Sequence, residues 1–187
     1  MGGDSDMTRL VTSWIALIFI GVVGFGLLAH AEINHRRERV VRVFDLAKEY
    51  RTSMRETSLN FTQRWNQYYD DSVDPYHGGN LDERAYRELV NRFLQADANR
   101  TNYEALSGFY ESVGECVREG LCDFWYARAT FGNDVTAFYH NMYPALIAEC
   151  PQGRGCEGIY EFVNRVRDAD RGLVHQSWGE RAVAWAG

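Results

Sequence analysis

From Leu10 to Ala31 the chain reads LVTSWIALIFIGVVGFGLLAHA, with no Lys, Arg, Asp or Glu, and the pattern then changes to mixed sequence in which apolar residues recur every seven positions. The first pattern predicts a transmembrane helix. At about 1.5 Å per residue its roughly 22 residues extend about 33 Å, enough to cross a hydrocarbon core of about 30 Å. A cleaved secretory signal competes for the same residues, because Ala29-His30-Ala31 has the A-x-A form. The run exceeds the roughly 7–15 residues of a signal core, which favours a retained anchor.

The second pattern, Ile33, Val40, Ala47, Met54, Phe61 and Tyr68 with Phe44 and Trp65 as companions, predicts a helical seam of period near 3.5. No Gly or Pro interrupts the chain from Ala31 to Asp71, so anchor and seam together predict one helix from about Thr8 to Tyr69. Arg37, Arg51 and Ser58 fall where such a seam requires apolar residues. The distal half, Met54 to Tyr68, is expected to pack on the protein's own later helices. The half nearer the membrane is left for a partner.

Ser72 to Asn80 (SVDPYHGGN) is a turn by composition, and Asn80 with Glu83 forms a capping box for a helix with stripe Leu81, Ala85, Leu89, Phe93 and Leu94. A second box at Thr101–Glu104 opens a helix facing inward through Leu106, Phe109, Tyr110, Val113 and Val117, ended by Gly120. Asp123 opens a short helix that Gly132 closes. Asn133 or Asp134 caps another, with Phe138, Met142, Tyr143 and Leu146 inward and a kink at Pro144. A last amphipathic helix carries Ile159, Phe162, Val163 and Val166. The fold class expected is all-α: a transmembrane helix continuing into a long helix, followed by a small helical bundle. The corresponding divisions are a short tail at 1–9, the span at 10–31, a juxtamembrane helix at 32–71, the bundle at 72–172 and a tail at 173–187.

Charge adds an orientation. Arg36, Arg37, Arg39, Arg42 and Lys48 follow the span, whereas Arg9 stands beside Asp4 and Asp6 before it. Positive residues stay inside, which predicts a single-pass protein of the bacterial inner (cytoplasmic) membrane with its C-terminal domain in the cytoplasm. Arg36, Arg37, Arg39 and Arg42 serve as topology determinants or as a contact to lipid headgroups. A formal net charge of −6 argues against a nucleic-acid partner, because that binding rests on clustered cations. Gly21, Gly24 and Gly26 would let the span approach a partner helix closely.

The four cysteines bring a conflict. Cys116 with Cys122, and Cys150 with Cys156, enclose short Gly-containing turns and could each close a disulfide, which suits a periplasmic domain instead. The charge asymmetry favours reduced thiols, since Cys is also a common buried small hydrophobe. Redox-responsive thiols remain an alternative, and a zinc site is disfavoured because paired zinc ligands are usually about two to four residues apart. His30, His35, His77, His140 and His175 form no H-E-x-x-H string, and no G-x-S-x-G or phosphate-binding loop occurs. His140 is placed to meet Glu111 or Cys116 in the bundle, and His30 to act as a polar anchor near the membrane boundary. No catalytic residue, metal site, cofactor or small-molecule substrate is assigned.

Tyr103 to Glu149 resembles the core of an uncharacterised bacterial domain-of-unknown-function family of membrane-anchored helical proteins. The residues that carry the resemblance are Phe109-Tyr110-Glu111, Gly120-Leu121-Cys122-Asp123, Phe131-Gly132 and the aromatic cluster from Tyr139 to Pro144. It implies a topology and a helical fold and attaches no activity. The function expected is that of a non-enzymatic, single-span accessory or scaffold subunit whose partners are membrane lipid and an integral membrane protein. The alternative is a membrane-tethered regulatory or thiol-redox-responsive protein.

Overall fold

The computed structural model describes residues 28, 30–73, 81–150 and 155–174, and among them every regular element is helical. Helix α1 covers 30–49 and passes through a π-helical turn, Tyr50–Met54, into α2, Arg55–Ser72. Then follow α3 (Glu83–Phe93), α4 (Asp97–Arg118), α5 (Phe124–Glu149) and α6 (Glu157–Asp170). No helix among the described residues is long and apolar enough to cross a membrane. Apart from Leu28, His30 and Ala31, the apolar run from Leu10 lies outside those residues, as do Gly21, Gly24 and Gly26.

The π-helical turn explains the faults in the seam. Before it the buried positions are Arg36, Val43 and Ala47, with Val40 and Tyr50 half-buried; after it they are Phe61 and Trp65, with Met54, Ser58 and Tyr68 half-buried. The companion position therefore sits three residues after the heptad position in α1 (Arg36, Val43, Tyr50) and four after it in α2 (Ser58, Trp65). A π turn adds one residue to a helix and rotates everything beyond it. Phe44, expected as a seam residue alongside Trp65, is accordingly 60% exposed, while Trp65 is 3% exposed. Arg37 and Arg51 are exposed because they lie off the seam, not because they interrupt it.

Helix α4 runs back along this rod and is the centre of the bundle, packing on α2, α5, α6 and the π turn. Its inward residues are Tyr103, Leu106, Phe109, Tyr110, Val113 and Val117. It begins at Asp97, so Thr101 and Glu104 lie inside the helix and not at its cap. At α3 the cap is Asp82, whose side chain accepts the Ala85 amide at 2.7 Å; Asn80 lies outside the described residues.

Where two helices flanking Gly132 were expected, α5 is one helix, with Gly132 buried inside it. Helix α6 packs over this position, and a Cβ on Gly132 would make only ordinary contact, 3.4 Å from Arg128 Cγ and 3.7 Å from Val166 Cγ2. Tertiary packing thus outweighs the roughly 1 kcal/mol by which Gly disfavours a helix interior. Helix α5 also continues past Pro144 to Glu149. Helices α4 and α6 meet more closely still, at Gly114 and Gly158, where a Cβ on Gly114 would stand 2.1 Å from the Gly158 carbonyl carbon. The Glu111 carboxylate completes this crossing by accepting the Gly158 and Ile159 amides at 2.8 and 3.0 Å, which caps α6 from another helix.

Candidate functional site

The contacts along the rod fix which end of the bundle lies near the start of α1. Ser58 Oγ meets Tyr110 Oη at 3.3 Å, the Tyr50 and Phe109 rings stack at 5.5 Å, and the Asp123 amide donates to the Arg39 carbonyl at 3.4 Å. Cys116, late in α4, lies beside Arg42, Leu46 and Glu49, and the turn beyond it reaches Arg39, so the α4–α5 turn lies at the end of the bundle nearest the start of α1.

That turn is built from its own sequence. Gly120, at φ 70°, takes the left-handed conformation that ends α4, and the Leu121 and Cys122 amides both donate to the Cys116 carbonyl at 2.9 Å. The same fold-back brings the Cys116 and Cys122 Cα atoms to 5.2 Å, and their sulfurs form a disulfide. Asp123 then caps α5, accepting the Trp125 and Tyr126 amides at 3.0 and 3.2 Å. Its other oxygen accepts Arg36 Nε at 3.3 Å, with both residues buried. One carboxylate therefore joins the turn, the start of α5 and helix α1.

Of the four arginines expected to face lipid or set topology, Arg36 points into the bundle. Arg39 pairs with Glu32 at 3.4 Å, and Arg37 and Arg42 are exposed. The sequence marked Asp123 as a cap but carried no signal of its partner, which is 87 residues away. Cys150 and Cys156 also form a disulfide, Cα to Cα 5.9 Å, across the α5–α6 connection. The preferred expectation of reduced, merely buried thiols is therefore corrected: all four cysteines are joined in pairs, because the fold brings their Cα atoms to 5.2 and 5.9 Å.

On the outer side of α1, away from Val43 and Ala47, apolar side chains face solvent. Ile33, Val41 and Phe44 are exposed, and the Phe44 ring lies 6.3 Å from that of Tyr126 on α5. Leu121, at the tip of the disulfide-closed turn, is exposed as well. These residues form an apolar stripe on the end of the bundle nearest the apolar run.

His140 does not meet Glu111 or Cys116. It is exposed and packs its ring 5.7 Å from Tyr139, because Glu111 is committed to α6 and Cys116 to its disulfide. The Asn34 side-chain amide nitrogen donates to His30 Nε2 at 3.1 Å, and His77 and His175 lie outside the described residues. Among the described residues no group of three or more His, Cys, Asp or Glu is arranged to hold a metal ion. No family model, curated protein or solved structure matches this chain.

Proposed function

We propose that this protein is a single-span membrane protein that acts as an accessory or scaffold subunit, docking a partner subunit against the outer side of α1. The observation that carries this reading is the exposed stripe of Ile33, Val41 and Phe44, continued by Tyr126, on the helix that follows the apolar run. Apolar side chains gathered on one exposed side of a helix, where Phe44 also meets Tyr126, suit a contact with another protein. Its position beside Arg37 and Arg42 suits an interface close to lipid headgroups, with each arginine contributing on the order of 1 kcal/mol of attraction to an anionic leaflet. The paired cysteines favour the oxidising side of the membrane for the bundle, against the cytoplasmic side that the arginines suggested. The resemblance of Tyr103–Glu149 to a family of membrane-anchored helical proteins is in keeping with this proposal.

Mild-detergent purification from the native membrane tests it. A stoichiometric integral-membrane partner is expected, and the double substitution Val41→Glu, Phe44→Glu is expected to release it without lowering the melting temperature of the bundle. Retention of the partner by the double variant, or purification of the wild type without one, would overturn the proposal. The same disulfides support a second reading, a thiol-responsive regulator, which predicts that mild reduction changes partner binding.

A further inference from the structure

A second feature stands apart from the stripe, in the gap where the rod changes register. Beyond the π turn, Ser58 occupies a companion position of the seam, equivalent to Trp65 one heptad later, and its side chain is too small to fill it. The space left open is a cleft of about 270 Å³ between α2, α4 and α5, beside the π turn itself. Its size is at the small end for a ligand site. Phe61, Trp65, Tyr110 and Phe138 supply aromatic surface to it.

Two opposite charges line the same cleft. Arg55 comes from α2 and Asp134 from α5. Asp134 accepts the Tyr50 hydroxyl at 2.8 Å, which leaves further acceptor positions on its carboxylate. Arg55 is exposed and makes no ion pair with a described residue, although most exposed arginines of α3 and α4 pair within their own helix. Aromatic surface lining the same cleft as one cation and one anion is complementary to a molecule that carries a ring and both charges. The π turn that opens the space is a device often found at functional sites, because it interrupts regular helix geometry.

We propose that this cleft binds a small aromatic zwitterion of the size of a free aromatic amino acid, with its carboxylate on Arg55, its ammonium on Asp134 and its ring against Phe61, Trp65 and Phe138. The proposal is independent of the docking stripe and of the side of the membrane on which the bundle lies.

The test uses the full chain in detergent micelles and 4-fluoro-L-phenylalanine as the probe, followed by fluorine NMR line broadening. Saturable binding with a dissociation constant below about 1 mM is expected. Arg55→Gln and Asp134→Asn, both at exposed positions, are each expected to weaken it about tenfold, the usual order for losing one charged hydrogen bond. 4-Fluorophenethylamine, which lacks the carboxylate, should bind the wild type and Arg55→Gln equally. Ser58→Leu should fill the cleft and abolish binding while the helical circular-dichroism signal is kept. No saturable broadening with the wild type, or equal affinity in the wild type, Arg55→Gln and Asp134→Asn, would overturn the proposal.

Discussion

Asp123 shows how much one side chain can hold. Its carboxylate caps α5 through two amides and receives Arg36 across the turn. Removing one member of a buried ion pair costs roughly 3–5 kcal/mol, since the remaining charge loses its compensation while still desolvated. Asp123→Ala is expected to destabilise the bundle by about that amount in urea unfolding. Asp123→Asn should cost less, because Asn still caps a helix. Equal losses for the two variants would show that the ion pair, not the cap, is the dominant contribution.

Glu111 makes a pH-dependent counterpart. Burial raises its pKa above the ordinary carboxylate value, its bonds to the Ile159 and Gly158 amides pull the other way, and nearby Glu115 adds to the rise. A raised pKa means that the folded protein holds the proton more tightly than the unfolded chain. The stability contribution is then complete below the unfolded pKa and is lost as pH rises through the folded one. The stability advantage of the wild type over Glu111→Gln should therefore narrow as pH rises above the ordinary carboxylate range of about 4. A difference that widens would mean that the amide bonds outweigh burial.

Among the elements, glycines on one helix have opposite meanings. Gly114 lies in the α4–α6 crossing, where any Cβ meets the Gly158 backbone, whereas a Cβ on Gly108 would meet nothing within 4 Å. Gly114→Ala must push two helices apart and is expected to cost about 3 kcal/mol or more. Gly108→Ala, on the exposed side of the same helix, should gain roughly 0.5–1 kcal/mol from reduced backbone entropy in the unfolded chain. Thermal melts of the two variants measure both signs. The periodic stripes of α4 and α6 were legible because each helix buries a single face, with Ile159, Phe162, Val163 and Val166 inward on α6. The continuity of α5 through Gly132 was not, because a local breaker signal carries no information about the helix that will pack over it.

For the whole molecule, the disulfides decide how independent the bundle is of its surroundings. Each closes a separation of six residues, and restricting a loop of that length in the unfolded chain is worth about 2 kcal/mol. Replacing Cys116 and Cys122 together by Ser should lower stability by about that amount, as read by urea unfolding. In intact cells all four sulfurs should resist a thiol-reactive label until a reductant is added. Labelling without reductant would favour the cytoplasmic orientation drawn from Arg36, Arg37, Arg39 and Arg42 over the oxidising side proposed from the disulfides.

The sequence alone determined the helical class, the distal seam from Met54 to Tyr68, the inward stripes of α4 and α6 and the Asp123 cap. Each depends on spacing within a few turns of one helix, which the chain displays directly. The α1-to-α2 register shift, the Arg36–Asp123 pair, the Glu111 cap on α6 and the cleft at Ser58 were decided only by tertiary structure. They depend on which distant surfaces meet, and a single residue gained in a π turn rotates half the rod without changing its apparent heptad.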